Sequence, residues 1–189
     1  MTTKSMFTTK KIVFTAMLAA LTVAGSALRI KVPADLVGTS AFHLGNIMCA
    51  LSGILLGPWL GGLAAGLGSA LYDMTNPLYI SECWITFLTK GAYGLVAGGI
   101  AWCGSRSWGY KKATIATVAG AVTYAALYLF KSFFYSGILL KGLTPEAAAL
   151  ALVGKIPATI FNAVVAILFA PILAVAIRKA LDKNHLSLN

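Results

Sequence analysis

The chain has 189 residues, of which 59% are hydrophobic and only 11% charged, with a net charge of +10 and a mean hydropathy of +0.84. Globular domains carry about 25% charged residues, so this composition excludes a soluble monomer and points to one all-α integral membrane unit over residues 1–189. The basic excess does not describe a nucleic-acid surface either, because it falls in short clusters between apolar runs, with no interleaved aromatic stripe.

The first segment, "MTTKSMFTTKK", is basic, and the apolar run behind it resembles a signal h-region. That run continues to about Leu28 with no A-x-A-like cleavage site, so it is read as a retained first span over 11–29. Ala16, Ala20 and Ala24 share one face of it, either for packing inside the bundle or as a docking surface for another membrane protein.

Five further spans are predicted over 42–57, 59–75, 83–104, 112–137 and 155–180, each near the roughly 20 residues that cross a bilayer. The second is short, which predicts a tilted or deeply placed helix, and only Gly57-Pro58 separates it from the third. The third is rich in glycine, and each glycine in a soluble helix is up to about 1 kcal/mol worse than alanine. In lipid the same residues permit close backbone contact. Gly62, Gly66 and Ala70 form one row and Gly61, Ala65 and Ser69 its neighbour, which predicts a close-packed central helix with Asp73 at its outer end. Before the sixth span, Thr144, Pro145 and Glu146 read as N-cap, first-turn proline and first-turn acid of a short surface helix ending near Gly154 and Pro157.

With six spans both termini share a side. That side collects Lys4, Lys10, Lys11, Arg106, Lys111, Lys112, Arg178, Lys179 and Lys183 against Asp182 alone, whereas Asp35, Asp73, Glu82 and Glu146 fall on or near the other. The positive-inside rule then puts both termini in the cytoplasm. Cys49, Cys83 and Cys103 show neither CxxC nor metal-ligand spacing and read as small buried side chains. No metal or cofactor is expected.

Polar residues recur at helical spacing in the outer halves of three spans: Thr86, Lys90 and Tyr93; Tyr124, Tyr128, Lys131 and Tyr135; and Lys155, Thr159 and Asn162. His43 and Asn46 add to them from the second span. A lysine near the bilayer centre costs about 2.5–3.5 kcal/mol on insertion scales, so it faces a cavity or a partner. Convergence in one leaflet points to an outward-open pocket, and tyrosines suit a small aromatic ligand. Against this, Lys155 and Tyr135 lie near helix ends, where lysines snorkel and tyrosines form belts. Trp59, Trp84, Trp102 and Trp108 read mainly as belt residues, with Trp84 a candidate pocket residue. Asp73 and Glu82 are candidate counter-charges for the lysines. No G-x-x-x-x-G-K-[ST] loop, H-E-x-x-H or G-x-S-x-G motif occurs, and the halves do not resemble inverted repeats. A pocket without an engine indicates a binding subunit rather than an enzyme.

"TKKIVFTAMLAALTVAGSALRI", "FHLGNIMCALSGILLGPWLGGLAAGLGSALYDM" and "ITFLTKGAYGLVAGG" resemble the substrate-binding S component of energy-coupling factor (ECF) transporters. The likeness is nearest to the riboflavin-type subgroup, also linked to vitamin B6 forms, hydroxymethylpyrimidine and queuosine precursors. It implies a six-helix S component in a prokaryotic plasma membrane that captures a vitamin-like molecule from outside. It also implies docking on a transmembrane T component with two ATPases, followed by toppling that delivers the substrate inward. The family's alanine motif matches Ala16 and Ala20, with Ala24 extending it, and would contact the T component. The family's pocket lies in the first outer loop and the outer halves of helices four to six. "HLGN" resembles a more usual "NLGD", with His43 and Asn46 at the differing places. The expected substrate-binding set is His43, Asn46, Trp84, Thr86, Lys90, Tyr93, Tyr128, Lys131, Tyr135 and Asn162, with the loop around 31–41 closing the mouth. A vitamin B6 form is the first expected ligand. Two other classes stand beside this: a self-sufficient secondary transporter or channel, and an intramembrane enzyme using Lys90, Asp73 and Glu82 for proton chemistry.

Overall fold

The computed structural model describes residues 8–34, 38–104, 108–184 and 186, without the side chains of 31–40. Lys4, Asp35 and Arg106 lie outside the described residues. Seven α-helices are present among those described: α1 (Thr9–Ala27), α2 (Gly45–Leu56), α3 (Pro58–Met74), α4 (Cys83–Trp102), α5 (Tyr110–Lys131), α6 (Pro145–Val153) and α7 (Ile156–Lys183). Six of them match the six predicted apolar segments to within a few residues. The helices α1, α7 and α5 with its extension are long and apolar enough to cross a membrane by length and composition. The seventh, α6, is the short helix read before the sixth span, and Thr144 Oγ1 caps it by accepting the Ala147 N–H at 3.3 Å.

The small residues explain how the helices meet. α3 packs against α1, α2 and α4. A Cβ on Gly61 would lie 2.5 Å from Gly53 Cα, one on Gly66 2.8 Å from the Phe87 carbonyl, and one on Gly94 2.7 Å from the Gly61 carbonyl. Backbone thus lies on backbone across α2, α3 and α4, as close packing in lipid requires. α2 is short because it is deep: every residue of it except Met48 is buried.

Two parts of the sequence reading are corrected. The segment read as an outer loop around 31–41 belongs to an antiparallel hairpin, β1 (Arg29–Ala34) and β2 (Gly38–His43), paired from Arg29↔His43 to Ala34↔Gly38. A two-stranded ribbon has only edges, so Pro33 removes no interior ladder bond. The second correction concerns side chains assigned by type. Trp102 donates its indole N–H to the Ile54 carbonyl at 2.9 Å and covers Gly57, whose φ of +81° suits glycine at this tight reversal. Trp108 is buried with the Arg178 guanidinium 4.8 Å from its ring, so neither is a belt residue. Trp59 and Trp84 are exposed. Of the cysteines only Cys49 is buried; Cys83 is half-buried and Cys103 exposed.

The α5 rod does not stop at Lys131. It continues as a π-helix over Ser132–Leu140, a wide and rare geometry that is frequent at functional sites. Contacts fix which elements share an end of the bundle. Arg178 donates to the Trp108 carbonyl at 2.9 Å at one end; the hairpin, the Ile80–Glu82 turn, the π-helix and the start of α7 meet at the other.

Candidate functional site: a tyrosine- and lysine-lined cavity

At the hairpin end the bundle encloses a cavity of about 400 Å³, within the usual range for small-molecule sites. α3 contributes Ser69 and Asp73, and α4 contributes Thr86, Thr89 and Lys90. α5 and its π extension contribute Tyr124, Tyr128, Lys131 and Ser136, and α7 contributes Ala158, Thr159 and Asn162. Lys155 stands at the N-cap of α7, and Arg29 and His43 enter from the hairpin. The floor is apolar: Tyr93, fully buried, stacks on Tyr124 at 5.9 Å, and Tyr124 stacks on Tyr128 at 5.7 Å.

Each lysine is held differently. Lys90 donates to Asn46 Oδ1 and sits 3.8 Å from the Tyr124 ring centroid, a cation–π contact. Lys131 pairs with Glu82 Oε2, while Ser136 donates to Glu82 Oε1 at 2.5 Å. Lys155 donates to Ser132 Oγ at 3.2 Å, 5.6 Å from the Tyr128 ring. Both serines lie in the π-helical segment. Glu82 stands in the turn before α4. Burial pushes its carboxyl up, but the Lys131 charge and hydrogen bond and the Ser136 hydroxyl outweigh that and hold it below the ordinary glutamate value.

His43 and Asn162 form the hinge between hairpin and bundle. Asn162 Oδ1 accepts the His43 N–H at 2.9 Å, and Asn162 Nδ2 donates to the Ala41 carbonyl at 2.8 Å. His43 Nδ1 accepts the Gly45 N–H at 3.1 Å. Burial, then the Lys90 and Arg29 charges, hold this imidazole well below its ordinary value, so it is neutral at pH 7. Arg29 donates Nε–H to the Ser26 carbonyl at 2.8 Å, and its guanidinium lies 4.1 Å from the Tyr72 ring and 5.3 Å from the Tyr79 ring. The base of the hairpin is thereby tied to the C-terminal end of α3.

Of the ten expected binding residues, His43, Thr86, Lys90, Tyr128, Lys131 and Asn162 line the cavity. Asn46 lies behind Lys90 and reaches the cavity only through it. Tyr93 lies beneath Tyr124, while Trp84 and Tyr135 pair edge-to-face at 5.5 Å outside the cavity, with Tyr135 donating to the Ser81 carbonyl at 3.2 Å. The cavity wall also includes Arg29, Asp73, Glu82, Tyr124 and Lys155. Tyr124 and Lys155 were on the polar stripes already, and Lys155 is buried rather than snorkelling. Arg29 was not visible as a site residue, because its position depends on the hairpin. Ala16, Ala20 and Ala24 form an exposed row on α1.

Among the described residues no three His, Cys, Asp or Glu side chains converge as metal ligands. A Pyrococcus woesei protein, described only as an uncharacterised protein in a gap 3′ region, is 31% identical over 118 residues, covering 62% of this chain and 74% of that protein. Residues 6–179 match the family described as ECF-type riboflavin transporter, S component. That family is one of membrane-embedded transport subunits and not of enzymes. With nearly the whole chain matched, this protein belongs to the ECF-type riboflavin transporter S component family, and is a substrate-binding subunit of an ECF transporter.

Proposed function

We propose that the chain is a single six-span membrane domain with both termini cytoplasmic. In this reading it captures a small aromatic vitamin or vitamin precursor from outside for ATP-driven uptake. The observation that carries the reading is the cavity itself: stacked tyrosines flanked by buried lysines in a chain of this family. Its residues supply a flat apolar surface for a ring and donors for the ring's polar edge. A vitamin B6 form is the first candidate, with hydroxymethylpyrimidine, riboflavin or a queuosine precursor as the others. His43, Thr86, Lys90, Tyr128, Lys131 and Asn162 would touch the ligand. Asn46, Tyr93, Trp84 and Tyr135 would act from behind or beside them. The hairpin would close the mouth.

The exposed row Ala16, Ala20 and Ala24 would receive a T component, whose two ATPases supply the energy. Small residues on an exposed helix face let another helix approach closely. The basic end of the bundle, with Lys111, Lys112, Arg178 and Lys179, supports a cytoplasmic placement.

The test is reconstitution. Liposomes holding the purified chain alone should bind ligand without net uptake. Uptake should appear when T component, ATPases and ATP are added. Uptake by the chain alone would instead identify a self-sufficient transporter.

A further inference from the structure

The cavity is strongly unbalanced in charge. Five cationic side chains line it, Arg29, Lys90, Lys131, Lys141 and Lys155, against two carboxylates, Asp73 and Glu82, an excess of three. Among the described residues the one ion pair in the cavity is Lys131–Glu82. Lys90 and Lys155 are 5% and 7% exposed, yet each has only a neutral hydrogen-bond acceptor, Asn46 Oδ1 and Ser132 Oγ respectively. An ammonium has three donors, so two on each remain for a ligand. Burying a charge demands a partner charge or several hydrogen bonds, and Asp73 is one carboxylate facing several unpaired cations.

The arrangement repeats on both sides of the tyrosine stack. Lys90 lies 3.8 Å from the Tyr124 ring, while Lys131 and Lys155 lie 5.9 and 5.6 Å from the Tyr128 ring. At the Tyr128 side two ammonium groups share one carboxylate, Glu82. A cationic ligand there would add repulsion, and a neutral one would leave the excess unmatched.

We infer that the ligand is an aromatic molecule bearing an anionic group, a carboxylate or a phosphate, whose ring lies on the Tyr124–Tyr128 stack, whose negative charge is held by Lys155 at the Tyr128 side, and whose polar edge meets Lys90 at the Tyr124 side. This rests on the proposed function and narrows it. Within that list it favours the acidic or phosphorylated form of a ring over its neutral alcohol or its amine.

The test uses the full purified chain in detergent and pairs of probes that differ in one charged group. Pyridoxine with 4-pyridoxate forms the carboxylate arm. Pyridoxine with pyridoxine 5′-phosphate, and riboflavin with riboflavin 5′-phosphate, form the phosphate arm. Titration calorimetry should find the anionic member of a pair at least tenfold tighter than its neutral partner, with the arm that responds naming the group. K155M should lower affinity for that anion roughly tenfold to a hundredfold, the worth of a hydrogen bond between charged groups. K155R, which keeps the charge, should retain most of the preference, and K179M, an exposed lysine remote from the cavity, should change nothing. Equal or tighter binding of the neutral members, or an anion affinity indifferent to both K155M and K90M, would overturn the inference. If no probe binds, the solute taken up by the reconstituted complex is identified and its charge read. An anion supports the inference; a neutral or cationic solute overturns it while the proposed function stands. Uptake by the chain alone removes both.

Discussion

Asn162 holds His43 through the main chain: its side-chain oxygen accepts the His43 N–H at 2.9 Å, while its nitrogen donates to the Ala41 carbonyl at 2.8 Å. One amide on α7 therefore fastens the last strand of the hairpin over the cavity. Asn162→Leu keeps the branched shape and strands both backbone groups, each worth about 1–3 kcal/mol when buried without a partner. We expect hydrogen exchange over Gly38–His43 to quicken and ligand affinity to fall at least about tenfold. Unchanged exchange there would show that the hairpin is held by other contacts.

Glu82 is the only carboxylate paired with a lysine in the cavity among the described residues, and both side chains are largely shielded, 10% exposed for Lys131 and 16% for Glu82. Removing one member of a buried pair leaves the other charge uncompensated, at about 3–5 kcal/mol. Glu82→Gln should therefore lower the melting temperature sharply. The double variant with Lys131→Met should recover a large part of the loss. Loss that is simply additive in the double variant would mean the pair contributes nothing as a pair.

Acid should weaken the fold in two steps. The His43 imidazole is depressed in the folded chain, so below about pH 6.5 the unfolded chain takes up a proton that the folded one refuses. The Glu82 carboxyl is also depressed, so its contribution is present above the unfolded value, near 4.3, and lost as pH falls through the folded value. Melting temperature should decline from about pH 6.5 downward. His43→Gln should flatten the upper part of that decline and Glu82→Gln the lower. A stability that rises on acidification from about pH 6.5 to about pH 5 would contradict the sign of the His43 shift, and one that rises below about pH 4.3 that of the Glu82 shift.

The Tyr93 hydroxyl is buried and has no hydrogen-bond partner, unlike most buried polar groups. Tyr93→Phe therefore removes an unsatisfied group without a cavity, and stability should hold or rise slightly by thermal unfolding. The glycines behave oppositely according to what faces them. Gly61→Ala drives a Cβ to 2.5 Å from Gly53 Cα and should destabilise by about 1–3 kcal/mol. Gly99→Ala meets nothing within 4 Å and should be neutral or stabilising by up to about 1 kcal/mol.

Much of this was legible in the sequence because the bilayer leaves few options. Length, hydropathy and the Gly61–Gly68 stretch locate the helices and the packing around α3, since helix is the structure that satisfies backbone groups in lipid. The i, i+4 spacing of Thr86 and Lys90, of Tyr124 and Tyr128, and of Lys155 and Thr159 marks the cavity wall, because one face of a helix is a local property. What was not legible depends on distant partners. The hairpin forms from a Pro- and Gly-containing segment with no strong alternation, so Arg29 gave no sign of facing Tyr72 and Tyr79. Tyr93 and Tyr135 fall on the right stripes, yet Tyr124 covers the first and the turn at Ser81 draws away the second. The π-helix that carries Ser132 and Ser136 has no evident sequence signature.

The exposed Ala16, Ala20 and Ala24 row separates docking from folding. Ala16→Leu with Ala20→Leu adds bulk to an exposed face. Ligand binding by the purified chain should be retained and uptake by the assembled complex abolished. Loss of folding instead would return these alanines to internal packing.

The measurement closest to the central claim is mass spectrometry of the small molecules that copurify with the detergent-solubilised chain, in the wild type and in Lys90→Met. A single aromatic compound per chain is expected in the wild type, and its loss from a Lys90→Met protein that still unfolds cooperatively. Equal amounts in both proteins, or an empty wild type that no vitamin-like aromatic stabilises against heat, would contradict that claim.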